Sequence, residues 1–233
     1  MNYRIVLKIT PLQLDVQVTD ENEVMTSQIY RCESSFQDAL KSLPISQAIS
    51  VINGQLQAAI AKIPAGGKIK DLHVHTTIDE WFVLDELFNP IHTLLDGSDQ
   101  RAKKYVEAGR ANGIIAQLEA KSGAMITYNS PIAMLLWLKN EVGTTYQSIK
   151  HIMNFRDYLI YTWTGANQTV ASTAARSGMY NMSTNNWDGQ ALAFLDLQPE
   201  QLPAVVHDKT VKADFNSEIA HALGLNIDTK IVW

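Results

Sequence analysis

An alternation of apolar and polar residues near the start of the chain constrains the fold most strongly. In the stretch Tyr3–Asn22, written YRIVLKITPLQLDVQVTDEN, leucine or valine recurs at every second position after Pro11. A period of two places one face of a strand in a core and the other face in solvent. The pattern predicts three strands, Arg4–Ile9, Leu12–Val18 and Val24–Tyr30, joined as an antiparallel meander.

Helical periodicity dominates the rest of the chain. Apolar residues at three- and four-residue steps predict a helix from Gln47 to about Lys62, with Ser46 as its cap. The other predicted elements are helices between Ser98 and Ser122 with breaks near Gly109 and Gly113, a helix that begins at Ser130–Pro131, a helix closed by Gly165, a helix capped by Asn216, and strands at Asp71–His75 and Lys230–Trp233. This order predicts an α/β fold with a mixed sheet, in one domain that spans residues 1–233.

The composition is that of a globular protein with a sizeable core. Of the 233 residues, 46% are hydrophobic and 18% are charged. No apolar run is long enough to predict a transmembrane helix. The net charge is −5 and no basic run occurs, so we expect no nucleic acid and no membrane as a partner. The single cysteine, Cys32, and an N-terminus without a recognisable signal peptide predict a cytoplasmic location.

Two groups of residues could carry chemistry, and neither forms a complete catalytic set. His73 and His75 leave one face of a predicted strand and could bind a metal with Asp79 or His92, but their spacing supplies no fixed third and fourth ligand. Cys32 stands next to an acidic residue, which disfavours a reactive thiolate. We therefore expect no metal site and no nucleophilic cysteine. These residues alone indicate no more than a soluble α/β domain.

The part of the chain from Ser130 to Trp233 contains five landmarks in a familiar order. They are SPIAMLLWLKNEV, HIMNFRDYLIYTWTG, TVASTAARSGMYNM, NNWDGQAL and LPAVV. They resemble the P-x-x-K-x-x-W-L helix, the K-D-Y-L-x-x-x-L-T-G helix, the T-D-x-S-x-A-S-x-T-G segment, the D-W-D-x-x-x-L helix start and the L-P-x-V of the N-terminal domain of the FGGY family of carbohydrate kinases. Gluconate and xylulose kinases are the members it resembles most. Residues 1–125 follow the family by pattern only.

The resemblance implies a ribonuclease-H-like, actin-like ATPase fold with a helical insertion, in which the predicted strands Asp71–His75 and Lys230–Trp233 are the parallel members of the sheet. Family members bind sugar mainly on this first domain and ATP mainly on a second domain, and active members use ATP and magnesium. Their general base is an aspartate in a G-G-G-D segment that follows the strand matched here by TKIVW. The base is therefore expected beyond Trp233, no catalytic residue is assigned within the chain, and the second, ATP-binding domain is expected to be absent from it.

The first hairpin departs from the family at the corner that approaches the ATP phosphates. The family sequence there is D-x-G-T-T-x-x-K. Aligned by strand, the aspartate is Lys8 here, the glycine is Thr10, the two threonines are Pro11 and Leu12, and the lysine is Asp15. Proline removes a backbone donor, leucine offers no hydroxyl, and a carboxylate repels phosphate. We therefore predict that no cofactor binds at this corner.

Positions that contact sugar in the family have changed as well. The family's S-G-Q-M-H corresponds to His75–Asp79, and its W-x-D-x-R corresponds to Leu94–Ser98. What remains is a set of three candidate substrate-binding residues, Thr77, Asp79 and Asp96, whose hydroxyl and carboxylate groups can hydrogen-bond a polyol.

Two further polar family positions are apolar in this chain. The lysine of the proline helix is Met134, and the aspartate of T-D-x-S is Val170. In contrast, ten landmarks, most of them apolar or turn-forming, are retained: Pro131, Trp137, Leu138, Asp157, Tyr158, Gly165, Gly178, Trp187, Asp188 and Pro203. The resemblance thus implies a retained fold in which the polar functional positions are lost.

These departures predict a sugar-side kinase domain that is inactive alone and whose ligand is a small sugar or sugar acid. A second kinase domain, or another copy of the chain, is expected to cover the face that carries Trp233 and the Thr10–Leu12 turn, because a lone first domain would expose it. Two alternatives stay open. One is an active gluconate or xylulose kinase represented by its first domain, and the other is a non-enzymatic sugar-sensing or scaffold domain.

Overall fold

The computed structural model describes residues 1–20, 24–31, 45–93, 99–207 and 211–233. The chain divides into two compact units. The sheet unit comprises Met1–Asp79, Tyr158–Ala166 and Lys209–Trp233, and the helical unit comprises Glu80–Asp157 and Asn167–Asp208. Of the residues singled out in the sequence, Cys32 and Asp96 lie outside the described ranges.

A six-stranded mixed sheet is the framework of the sheet unit. Its strands are β1 (Asn2–Ile9), β2 (Gln13–Thr19), β3 (Val24–Arg31), β4 (Lys68–Thr76), β12 (Lys212–Asp214) and β13 (Lys230–Val232). Their spatial order is β12-β13-β4-β1-β2-β3. Strands β1, β2 and β3 pair antiparallel, and β4 runs parallel to both β1 and β13. The predicted meander and the two predicted parallel strands are confirmed.

One face of this sheet carries the core of the sheet unit. Ile5, Leu7 and Ile9 on β1 are fully buried, and so are Leu14 and Val16 on β2. The helix Ile45–Ile60 packs against β2 and β3, and the helix Ser217–Leu223 packs against it in turn. Burial of each large aliphatic side chain contributes about 1.5–3 kcal/mol, so the alternation in the sequence also accounts for much of the stability of this unit.

The helical unit combines helices with short strands. Strand β5 (Trp81–Leu84) pairs antiparallel with both β6 (Pro90–Thr93) and β7 (His151–Asn154). In a second small sheet, β8 (Gln168–Val170) pairs parallel with β11 (Ala204–Val206). In a third, β9 (Tyr180–Asn181) pairs antiparallel with β10 (Asn186–Trp187). Its helices are Lys103–Ala111, Ile114–Ser122, Pro131–Glu141, Gly143–Gln147, Ala171–Arg176 and Gly189–Leu195, with a 3-10 turn at Pro199–Gln201. The helix Phe155–Thr164 begins in this unit and continues in the sheet unit.

Two predicted helix ends are confirmed by their hydrogen bonds. Gly165 is left-handed, with φ 74°, and its N–H donates to the carbonyl of Tyr161 at 2.7 Å. Left-handed backbone at the end of a helix favours glycine, which explains this stop. At the start of the helix Ser217–Leu223, the side chain of Asn216 accepts a hydrogen bond from the N–H of Glu218 at 2.9 Å.

Two other predicted boundaries were wrong. The first long helix begins at Ile45, so Ser46 lies inside it rather than at its cap. Gly109 lies within the helix Lys103–Ala111, and the break falls at Gly113 alone, where φ is 82°. The predicted boundary at Ser130 is confirmed, because Ser130 occupies the cap position before Pro131. Its hydroxyl accepts from the N–H of Thr127 at 2.9 Å rather than from an amide of the helix.

Among the described residues, no helix is both long enough and apolar enough to cross a membrane.

Candidate functional site

The parallel pairing of β1 and β4 brings the candidate residues of the sheet unit to one edge. Lys8 is in register with His75, and Ile9 is in register with Thr76. Just beyond the strands, the N–H of Thr77 donates to the carbonyl of Ile9 at 3.1 Å. Because the carboxyl ends of parallel strands meet at the same edge, Lys8, the Thr10–Leu12 turn and Thr77 lie next to one another. This group is called the carboxyl edge below.

The turn between β1 and β2 uses its own hydrogen-bonding groups. The N–H of Thr10 donates to the carbonyl of Gln13 at 2.9 Å. The hydroxyl oxygen of Thr10 accepts from the N–H of Gln13 at 3.0 Å and from the N–H of Leu12 at 3.4 Å. Pro11 has no N–H. Every backbone donor from Thr10 to Gln13 is therefore either absent or directed to an acceptor within the turn.

The side chains around the turn also differ from those of an anion site. Leu12 is 70% exposed and offers no hydrogen-bonding group. Asp15, which is paired in register with Lys8, is only 6% exposed. Its carboxylate accepts from Nε2 of Gln17 and from the hydroxyl of Ser27, each at 2.8 Å. A buried, hydrogen-bonded carboxylate close to this turn opposes the approach of a phosphate.

Of the three candidate substrate-binding residues, the structure places two on one exposed segment. Thr77 and Asp79 are exposed and follow directly after β4. Between them, Ile78 is buried, and its N–H donates to the hydroxyl of Thr76 at 3.0 Å, which fixes the backbone of the segment. Asp96 lies outside the described residues. A hydroxyl and a carboxylate on a fixed, exposed segment are suited to hydrogen-bonding a sugar.

The two histidines of β4 lie side by side without a metal-binding arrangement around them. Their rings are stacked with centroids 6.5 Å apart. Across the described ranges, no group of three His, Cys, Asp or Glu side chains is arranged to hold a metal ion.

Sequence reasoning missed a charged cluster on the same face of β4. Arg4 donates from Nε and Nη2 to the two carboxylate oxygens of Asp71, at 2.6 and 3.1 Å, and Nε2 of His73 lies 3.2 Å from Oδ1 of Asp71. Burial opposes the ionisation of Asp71, but the hydrogen bonds and charge of Arg4 outweigh it and hold the pKa of Asp71 below its usual value. Burial lowers the pKa of His73, although Asp71 acts in the opposite direction.

In the helical unit, the retained landmarks Trp187, Asp188 and Pro203 have structural roles. Nε1 of Trp187 donates to the carbonyl of Pro203 at 2.8 Å. The buried carboxylate of Asp188 caps the helix Gly189–Leu195 by accepting from the N–H of Ala191 at 3.0 Å. It also accepts from Nζ of Lys121 at 3.0 Å. These contacts explain why the residues can persist without a role in catalysis.

Two further family positions, one retained and one changed, are buried in the helical unit. Asp157 is fully buried, and Nη2 of Arg156 lies 3.2 Å from its Oδ1. Burial raises the pKa of Asp157, although the charge of Arg156 opposes this effect. Met134, at the position of a family lysine, is fully buried in the apolar cluster that also contains Leu135 and Ile152. No cationic group is therefore presented from this position.

Comparison with known proteins identifies the family of the chain. The model of the FGGY family of carbohydrate kinases, N-terminal domain, matches residues 16–233. The L-xylulose/3-keto-L-gulonate kinase of Escherichia coli (strain K12) is 28% identical over 153 residues, which are 65% of this chain and 31% of the kinase. The xylulose kinase of Staphylococcus xylosus is 25% identical over 150 residues, 64% of this chain and 31% of the kinase. The chain thus matches about a third of the length of these relatives.

Solved structures of similar fold agree with this assignment. The xylulose kinase from Lactobacillus acidophilus superposes with a TM-score of 0.84 at 22% identity, over 100% of this chain and 47% of the kinase. The gluconate kinase from Lactobacillus acidophilus superposes with a TM-score of 0.83 at 22% identity, over 99% and 47%. The α/β, actin-like ATPase fold that the resemblance implied is thereby confirmed. The chain belongs to the FGGY family of carbohydrate kinases, and its matched part is the N-terminal domain of that family.

Proposed function

We propose that this chain is the sugar-side domain of a gluconate- or xylulose-type FGGY protein and that its phosphate corner takes no part in phosphoryl transfer, as in a pseudokinase. One observation carries the proposal: the backbone donors from Thr10 to Gln13 are all absent or used within the turn. Phosphoryl transfer is catalysed almost entirely by positioning and by electrostatic stabilisation of the transferred group. A turn without free backbone donors supplies neither from its main chain.

The charges at the carboxyl edge support the same proposal. Lys8 is exposed where the family has a carboxylate that helps to hold the metal. The carboxylate of Asp15 stands at the position of the family lysine and is held by Gln17 and Ser27. Both exchanges reverse the sign of the charge, so the corner would repel magnesium at one position and phosphate at the other. ATP and magnesium are accordingly proposed for active relatives and not for this chain.

A small sugar or sugar acid is the proposed ligand. The exposed hydroxyl of Thr77 and the exposed carboxylate of Asp79 lie on one segment whose backbone is fixed by hydrogen bonds to Ile9 and Thr76. Asp96 is proposed as a third contact on the family resemblance alone. Such a domain would bind a polyol without converting it, as a sensor or scaffold does.

The proposed partner is a second kinase domain, or another copy of the chain, that covers the carboxyl edge. The exposed Leu12 on this edge supports the proposal, because exposed apolar side chains favour association. A cytoplasmic place of action is supported by the single cysteine, Cys32.

Two measurements test the proposal together. In a coupled ATP assay with magnesium and gluconate, xylulose, ribulose or glycerol, we expect no turnover. In calorimetric titrations we expect heat with gluconate or xylulose, a weaker signal for Asp79→Asn, and no heat with magnesium-ATP. Turnover by the purified chain at an ordinary kinase rate, about 1–100 per second, would overturn the proposal.

A variant with a rebuilt corner provides the matched control. The triple substitution Thr10→Gly, Pro11→Thr and Leu12→Thr removes the hydroxyl that closes the turn. It also restores the hydroxyls of the family's two threonines at positions 11 and 12. We expect this variant to bind inorganic phosphate or magnesium-ATP more tightly than the natural chain, with an unchanged circular dichroism spectrum. Equal binding by the two proteins would mean that the closed turn is not what excludes phosphate.

A further inference from the structure

Strand β3 forms one edge of the six-stranded sheet, and β12 forms the other. β3 has eight residues and pairs with β2 from Val24 to Arg31. Within the residues that the structure describes, no strand pairs with its outer side. An edge strand directs alternate N–H and C=O groups outward, where they can pair with another strand.

The two edges of the sheet differ in how well they resist such pairing. β12 has only three residues, two of which are charged, and its Asp214 forms an ion pair with Lys230. Short length and charge are devices that discourage pairing at an edge. In β3, the seven residues from Val24 to Tyr30 include no charged residue and no proline. Ile29 is 53% exposed and Tyr30 is 38% exposed, so apolar surface accompanies the outward-facing backbone groups.

We propose that two copies of this chain associate through β3, antiparallel, about a two-fold axis that passes through Ser27. In that arrangement Ser27 lies opposite Ser27 of the other copy and Val24 lies opposite Tyr30, so Arg31, the single charged residue of β3, lies beyond the paired segment and no like charges face each other. Pairing of the seven residues from Val24 to Tyr30 would give a ladder roughly 24 Å long at about 3.4 Å per residue. The contact uses the same surface on both copies, which closes the assembly as a dimer.

This interface differs from the one proposed for the carboxyl edge. The β3 edge is separated from β4 by β2 and β1, and it needs no sugar, nucleotide or second kinase domain to form. The two proposals can therefore fail separately: a dimer through β3 is compatible with an active or an inactive carboxyl edge.

Sedimentation velocity of the purified chain over a range of concentrations tests the proposal, with Ile29→Lys as the disrupting variant. The added ammonium can pair with Asp15, the register partner of Ile29, so the fold is expected to be kept. We expect a dimer for the natural chain and at least a tenfold weaker association for the variant. Ile227→Lys is the matched control, because Ile227 is 60% exposed in the same unit but distant from β3 in sequence.

Cross-linking reports the location of the contact independently. In a Cys32→Ser background, Ser27→Cys should be joined to its copy by a short bis-maleimide, since position 27 lies near the proposed axis. Thr19→Cys, at the far end of β2, should not be joined. A strictly monomeric natural chain, equal effects of the two lysine substitutions, or cross-linking at position 19 but not at 27 would each overturn the proposal.

Discussion

The hydroxyl of Thr10 is expected to hold the turn that closes the phosphate corner, and its removal has a calculable effect. Thr10→Val keeps the side-chain shape but removes an oxygen that accepts from the N–H of Gln13 at 3.0 Å and lies 3.2 Å from the carbonyl of the same residue. The third contact, to the N–H of Leu12, is long at 3.4 Å. A net hydrogen bond contributes about 0.5–1.5 kcal/mol, and water can replace part of it at a half-exposed site. We expect the free energy of unfolding to fall by about 1–2 kcal/mol.

Urea unfolding with linear extrapolation measures this change, with Thr19→Val as the control. Thr19 is the same residue type at the other end of β2, and its hydroxyl donates to the carbonyl of Arg4 in a long, exposed contact of 3.4 Å. The control should therefore lose less than about 0.5 kcal/mol. If both variants lost equally little, the hydroxyl of Thr10 would not be holding the turn. The N–H groups of Leu12 and Gln13 would then be available, and the reasoning that excludes phosphate from this corner would fail.

Two further predictions concern pH and helix capping. Burial lowers the pKa of His73 and of His151. As the pH falls, the unfolded chain therefore takes up protons on these histidines at a higher pH than the folded chain does. The free energy of unfolding should fall as the pH drops through the usual histidine pKa of about 6.5, and these two histidines should not change it above that pH. Urea midpoints measured on either side of this pH test the effect. A midpoint that rises at the lower pH would contradict it. Asp188→Ala should lower the free energy of unfolding by about 2–3 kcal/mol, because it removes the contacts to Ala191 and Lys121. Asp188→Asn can still cap the helix and should lower it by less. Equal losses for the two variants in urea unfolding would refute the capping role.

The strands and several helix ends could be predicted from the sequence because they depend on neighbouring residues. The period-two alternation of β1 and β2 reports directly which side chains face the core. Gly165 ends a helix through a left-handed backbone, and Asn216 begins a helix through its side-chain oxygen. Both devices are local, so both positions were predicted correctly. The parallel pairing of β4 with β13 is a contact between distant segments, and it was predicted only through the resemblance to a family.

The features that could not be predicted depend on register or on competition between partners. Arg4 meets Asp71 across sixty-seven positions of sequence only because β1 and β4 shift register between Tyr3 and Arg4. Ser130 had two possible partners, the helix that follows it and the N–H of Thr127, and the sequence does not decide between them. The same holds for Thr10, whose hydroxyl was recognised as a residue type but not as the group that closes the turn.

The closed turn changes the meaning of the lost family residues at the carboxyl edge. Sequence comparison describes Pro11 and Leu12 as missing donors, which one or two substitutions could restore. The structure shows that the remaining donors, on Thr10, Leu12 and Gln13, have acquired acceptors within the turn. Restoring hydroxyls alone would leave those amides occupied, because a bound phosphate would have to displace the Thr10 oxygen as well. Under the proposal made above, a phosphate site at this corner would require the loss of the Thr10 hydroxyl together with the gain of new donors, which is why the rebuilt corner carries three substitutions and why we expect Pro11→Thr alone to bind no phosphate.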